Sequence, residues 1–352
     1  MNQKGFVKYF FMVLLAITLV VGIEACKKDT DTFIPTGTTV VAVKKDTAVF
    51  TDLSAQSPRD SSTTQVLDIE KMIDALRTPV LKDSITEADD GGYVSVLSDL
   101  GGVSSPAKNF VQKPNGALCK GKLTIETLIL TTKTDLILND MPTVSDGIPL
   151  ISGGVVRVRV LQNGAPVFLA KPESRITVHF RGKYDGLAPM TYFEGTYATR
   201  TSFNWKPFTQ SSQDQLYVST SGRGDTAIYK MLLDRFTFVN CDRFYTDPNL
   251  VKNFSVKLPA EYSNQNSAVY IVYKDMLMVL KLDGDPVHRV FTIPKLSKGL
   301  PDKPATIVTL SLIKGKYYLA TQSLNNLSTQ NAFTVIPSEI TLDDIKLKLK
   351  NI

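Results

Sequence analysis

Arg175-Ile176-Thr177-Val178-His179-Phe180-Arg181 alternates without a break, with Ile176, Val178 and Phe180 in one set and Thr177, His179 and Arg181 in the other. Successive side chains of a strand point to opposite faces, so this segment buries the first set and solvates the second. Further runs of the same character precede it at 93–96, 123–130, 135–138, 155–161 and 167–169. Pro114-Asn-Gly116, Ser145-Asp-Gly147, Gly153-Gly154 and Asn163-Gly164 separate them as turns. Strands at such intervals predict an antiparallel sandwich over 91–205.

A second β-rich stretch follows, with candidate strands at 215–220, 228–238, 254–258, 268–273, 277–282, 290–293, 305–313 and 317–322, and a turn at Asp283-Gly-Asp-Pro286. Thr341 with Asp344 three residues on begins a helix whose face is Ile345, Leu349 and Ile352, although Lys346-Leu-Lys-Leu-Lys350 also alternates like a strand. Before the first sandwich, Val66, Leu67, Ile69, Met72, Ile73 and Leu76 share one helical face, and Pro79 closes that helix. The fold class is therefore mostly β: two antiparallel β-sandwich-like domains with a short N-terminal helix and a C-terminal helix. The organisation read from the chain is a signal peptide at 1–25, a flexible stalk at 26–64, a helical segment and linker at 65–90, the first sandwich at 91–205, and a second β-rich domain at 206–352.

The N-terminus carries an address. Lys4 and Lys8 form a positive n-region, and the 14 residues from Phe10 to Ile23 are uncharged and mostly apolar. That run is too short for a transmembrane helix, which needs about 20 residues, and has the length of a signal-peptide core. Ile23-Glu24-Ala25-Cys26 resembles the lipobox of bacterial lipoproteins, with Glu24 where a small or apolar residue is usual. The resemblance implies cleavage before Cys26, lipid on that cysteine, and a 327-residue mature chain held at a membrane. Several acyl chains anchor firmly where one does not. The following Lys27-Lys28-Asp29 resembles the start of many Bacteroidetes lipoproteins and implies outer-membrane localisation with surface exposure. Residues 27–64, rich in Thr, Ser, Asp, Lys and Pro, read as a solvated stalk.

Residues 106–205 resemble the ZU-type β-sandwich of ankyrins and netrin receptors as it occurs in Bacteroidetes lipoproteins. The matching stretches are Pro106-Ala-Lys-Asn-Phe110, the strand at 121–130, Thr132-Lys-Thr-Asp135-Leu-Ile-Leu-Asn139, Met141-Pro-Thr143, Ser152-Gly-Gly154, Phe193-Glu-Gly195 and Asn204-Trp205. Val239-Asn-Cys-Asp-Arg-Phe244 is similar to a segment that often follows. The resemblance implies an interaction module rather than an enzyme. Some ZU-type proteins cleave themselves at His-Phe-Ser; here Arg181 follows His179-Phe180, and an arginine cannot serve as that nucleophile.

Other classes find little support. Net charge is +6, or +5 once 1–25 is removed, with no Lys/Arg run interleaved with aromatics, so no nucleic-acid partner is expected. Only His179 and His288 are available as imidazole bases, and with Cys119 and Cys241 they lack metal-ligand spacing. Cys119 and Cys241 could pair in an oxidising envelope, but two buried thiols are the preferred reading. No Gly-x-Ser-x-Gly elbow, phosphate loop or His-Glu-x-x-His occurs, so no catalytic residue, metal or cofactor is assigned. Arg223-Gly224-Asp225 reads as a turn rather than an adhesion motif, and Trp205 as a core aromatic rather than a sugar platform. The expected function is a membrane-tethered, non-enzymatic binding or structural module for an envelope protein or glycan. The alternative is an envelope glycan hydrolase, because paired carboxylates leave no sequence signature.

Overall fold

The computed structural model describes residues 67–86, 94–98, 101–105, 109–170, 174–184, 186, 189–199, 202–208, 216–220, 226–285 and 289–352. Cys26, the stalk, His288 and Arg223-Gly224-Asp225 lie outside them.

In chain order the main elements begin with helix α1 (Asp68–Leu76) and strands β1 (Leu81–Thr86), β2 (Val94–Ser98), β3 (Gly101–Ser105) and β4 (Lys122–Leu130). Helix α2 (Lys133–Leu138) leads to β5 (Ile148–Gln162), β6 (Ile176–Lys183), β7 (Thr191–Thr199), β8 (Ser202–Pro207), β9 (Leu216–Thr220), β10 (Thr226–Leu233) and β11 (Phe238–Phe244). Then come β12 (Ser255–Lys257), β13 (Ser267–Tyr273), β14 (Val279–Lys281), β15 (Asp283–Gly284), β16 (Val290–Thr292), β17 (Ala305–Ile313), β18 (Lys316–Leu324), β19 (Ala332–Thr334), β20 (Ser338–Ile340) and helix α3 (Leu342–Leu349).

Four sheets account for these strands. One runs β1-β4-β5-β11-β7-β8 and packs on a second, β9-β10-β6-β3-β2. A third, β14-β13-β17-β18-β20, packs on a fourth, β15-β16-β12-β19. Pairing is antiparallel along these paths except between β12 and β19. The first sandwich closes over Ile125, Val156, Val158, Val178, Phe180, Tyr229 and Met231; the second closes over Val256, Ile271, Phe291, Ile307 and Phe333.

A third core joins the two. Ile69, Met72, Ile73 and Leu76 of α1, Leu136 to Leu138 of α2, and Ile345 and Leu349 of α3 pack with the outer faces of the first and third sheets. Backbone bonds cross the same seam, from Thr143 N to Val279 O (2.7 Å) and from Ser152 N to Leu277 O (2.9 Å).

The alternation at 176–181 takes the faces expected: Ile176, Val178 and Phe180 are buried, Arg181 is exposed, and Thr177 and His179 are half-buried. Thr341 caps α3 as expected, its Oγ1 accepting from Asp344 N at 3.2 Å.

Several expectations are corrected. Residues 135–138, read as a strand, lie in α2. Thr132 Oγ1 accepts from Asp135 N (3.1 Å) and Asp135 Oδ2 accepts from Thr132 N (3.2 Å), a reciprocal cap that starts a helix. Gly153-Gly154 is not a turn but lies inside the 15-residue β5. The run at 228–238 divides into β10 and β11. Asp283 and Gly284 belong to a short strand paired with β16. The junction expected at 205/206 does not separate two folding units, because β9, β10 and β11 complete the sheets of the first sandwich. Residues 81–86, placed in a linker, form the edge strand β1.

Candidate functional site

The outer face of the first sheet carries charges among aromatic rings, at the seam where the helices pack. Val156, Val158 and Val160 of β5 face the sandwich core, which directs Arg157 and Arg159 to the other side. On β4 the same alternation sends Glu126 beside them, in register with Arg159.

Glu126 is nearly inaccessible. Its Oε2 accepts from Arg159 Nε at 2.8 Å, and Lys82 Nζ of β1 lies 3.0 Å from Oε1. Burial pushes this carboxyl up, but Lys82 and Arg159 outweigh it and leave the group below its ordinary value, hence ionised at neutral pH. Arg159 is thereby occupied.

Arg157 is held differently. Its guanidinium carbon sits 5.0 Å from the centroid of Phe238 on β11. Its Nε is buried and has no hydrogen-bond partner. Burial and then Arg159 depress its pKa, with Arg77 adding to the same effect, while Glu126 and Tyr197 oppose it. A guanidinium nevertheless remains cationic in a protein. Arg77, just past the end of α1, has a buried Nε with no hydrogen bond and only a 3.4 Å ion-pair approach to Asp74.

An aromatic wall backs these arginines. Tyr197 meets Phe203 edge-on at 4.7 Å, Phe203 meets Trp205 at 4.7 Å, and Tyr197 meets Phe238 at 6.2 Å. Trp205 is fully buried and donates Nε1 to Pro142 O at 3.0 Å, so it is the core aromatic expected of it. Burial pushes the Tyr197 hydroxyl above its ordinary value, against the pull of Arg77. Beyond it Asp140 is engaged, accepting from Tyr270 Oη and Lys281 Nζ, each at 2.7 Å. Chemically, the seam offers fixed cationic donors beside hydrophobic rings, a combination suited to an oxyanion on a partly apolar partner.

The residues singled out from sequence lie elsewhere. His179 sits on β6 opposite Lys230, on the face away from the sandwich core. Cys119 and Cys241 are both buried and are not joined to each other in a disulfide, Cys241 Sγ lying 3.3 Å from Met231 Sδ. Burial, then Asp242, raises the Cys241 thiol well above its ordinary value, making it a poor nucleophile. Among the described residues no group of three or more His, Cys, Asp and Glu side chains is placed to hold a metal. No helix among them is long and apolar enough to cross a membrane. Arg157, Arg77, Glu126 and Tyr197 were not found by sequence reasoning. The one signal was Val156-Arg157-Val158-Arg159-Val160, which places two arginines on a single face of a buried strand.

Comparisons with family models, with curated proteins and with solved structures found no match.

Proposed function

We propose that this protein is a membrane-tethered envelope lipoprotein, anchored by lipid on Cys26 at the outer membrane and facing outward, that binds rather than reacts. Its grip is the Arg157 seam, and its target is an anionic group on an envelope protein or surface polymer. The observation that carries this reading is the Arg157 guanidinium, stacked on Phe238 with a buried Nε that no protein group satisfies. A buried donor left unpaired costs about 1–3 kcal/mol, and an incoming oxyanion that takes the bond removes that cost. The preformed stack also limits the entropy lost on binding. The ZU-type resemblance of 106–205, as an interaction module, supports the same reading.

The test is a titration of the full chain in detergent against carboxylated, sulfated and neutral polysaccharides and against outer-membrane extracts. Saturable binding confined to anionic ligands, lost in Arg157→Ala, supports the reading. Binding unaffected by that substitution overturns the assignment of the seam. Turnover of a polysaccharide, abolished by changing a pair of carboxylates, replaces the binding module with a glycan hydrolase.

A further inference from the structure

A second polar cluster lies in the same sheet and is fully enclosed. Ser152 of β5 is in register with Asp242 of β11, across a shift in pairing between Asn240 and Asp242. Ser152, Asn240 and Asp242 are 1%, 0% and 0% exposed. The Ser152 hydroxyl donates to Asn240 Oδ1 at 2.9 Å. Asn240 Nδ2 donates to Asp242 Oδ2 at 2.5 Å. Gly154 N donates to Ser152 Oγ at 3.1 Å, so Oγ is held in place while its proton points at the carboxamide. Burial drives the Asp242 carboxyl well up, and the polar groups around it offset this only in part. Burial thus favours the protonated form of Asp242 over the carboxylate.

These are the three parts of an acyl transfer: a hydroxyl, a carboxamide one bond away from it, and a proton carrier against the leaving nitrogen. We propose that the cluster is a self-modification site at which Ser152 Oγ and Asn240 Cγ join in an ester that ties β5 to β11. Oγ adds to Cγ, the Cγ–Nδ2 bond breaks, and ammonia leaves. Asp242 gives its proton to the departing nitrogen and takes the proton from the hydroxyl, so it ends as it began. No oxidant or other reactant is needed. Loss of ammonia from a closed interior drives the step forward, and the exclusion of water protects the ester from hydrolysis. The bond would join residues 88 apart in sequence and lock two neighbouring central strands of a sheet in register.

The test is peptide mapping of the full chain, digested with trypsin under mildly acidic conditions. Trypsin places Ser152 in the peptide 134–157 and Asn240 in 236–243. The expected product is these two peptides linked, at about 17 Da below their summed mass, the mass of the ammonia expelled in acyl transfer. Hydroxylamine should separate them, and Ser152→Ala should yield both unlinked. Asp242→Asn should lower the linked fraction at least tenfold while near-ultraviolet dichroism shows the fold retained. Unlinked peptides of full mass in the wild type overturn the proposal. So does a loss of the same mass confined to 236–243 that survives Ser152→Ala, which marks a succinimide at Asn240. Linking that is unchanged in Asp242→Asn removes the carboxyl from the mechanism.

Discussion

Arg157 lies over Phe238, the guanidinium carbon 5.0 Å from the ring centroid, and its Nε is buried without a hydrogen-bond partner. The two residues come from neighbouring strands in direct register, so the stack is built into the sheet rather than assembled by a loop. A cation fixed in this way is ready for a ligand but contributes little to the fold. Arg157→Ala should weaken an anionic ligand at least tenfold, about 1.4 kcal/mol, while the denaturation midpoint moves little. Arg157→Lys should recover only part of the affinity, since an ammonium keeps the charge but not the planar fork. Titration calorimetry beside denaturant unfolding separates the two effects. A large loss of stability with unchanged affinity would assign Arg157 to the fold instead.

Gly153 exists for a neighbour in the facing sheet. A Cβ there would come 2.5 Å from Cζ and Oη of Tyr229 and 3.0 Å from the carbonyl of Cys241. Tyr229 cannot swing aside, because it is fully buried, stacked on Phe180 at 5.1 Å, and bonded through Oη to Lys183 O at 2.5 Å. Gly153→Ala should therefore cost about 1–3 kcal/mol, the usual range for overpacking. In the double variant with Tyr229→Ala, the two losses should sum to clearly less than their separate values. Strict additivity in a denaturant series would show that the clash is relieved elsewhere.

These particulars explain what the sequence could and could not disclose. The strand at 176–181 was legible because its alternation is strict and one face is wholly apolar, and α1 and α3 because a helical face and a stopping or capping residue coincide. Residues 135–138 were not, because Leu-Ile-Leu fits a buried strand and a buried helix equally well, and the decision rests on a cap set by Thr132 and Asp135. Gly153-Gly154 resembles a turn in one dimension. In three, it is where β5 gives room to Tyr229 and where a Cβ on Gly182 would meet the Gly153 carbonyl at 1.9 Å. The junction near 205 failed because β9 to β11 return to sheets begun more than a hundred residues earlier, and strand order is not written in local periodicity. The Arg157 seam draws on α1, β5, β7 and β11, so only the Val-Arg alternation of β5 hinted at it.

Acid should weaken the protein partly through Glu126. Its folded-state pKa lies below the ordinary value of 4.5. The stability it contributes is therefore full above that value and is lost as pH falls through the folded-state pKa. Glu126→Gln should cost about 1–3 kcal/mol at neutral pH, because Arg159 loses its charged partner. It should also flatten the acid limb of the stability profile. Denaturation midpoints measured from about pH 3 to 7 check this, and parallel profiles for the two proteins would deny Glu126 the role.

Phe180 tests the faces of β6. It is 1% exposed and stacked on Tyr229. Phe180→Ala should cost about 3–5 kcal/mol, whereas exposed Arg181→Ala should stay within about 0.5 kcal/mol of wild type. Equal effects at the two neighbouring positions in chemical denaturation would mean that the strand does not alternate as described.

The anchoring proposal rests on the order of Lys4 and Lys8, the apolar run ending at Ile23, and Cys26 after small Ala25. Labelled palmitate should enter the wild-type chain and not Cys26→Ala, and the variant should leave the membrane fraction on carbonate extraction. Glu24 is the informative residue. A carboxylate two positions before the modified cysteine interrupts an otherwise apolar approach to the processing site, and inserting a charge at membrane depth costs a few kcal/mol. Glu24→Ala should therefore raise the processed fraction in a pulse-chase measurement, with the final lipidated product unchanged. Label retained in Cys26→Ala would place the lipid elsewhere. A Glu24→Ala chain processed more slowly than wild type would show that the carboxylate assists recognition instead of impeding it.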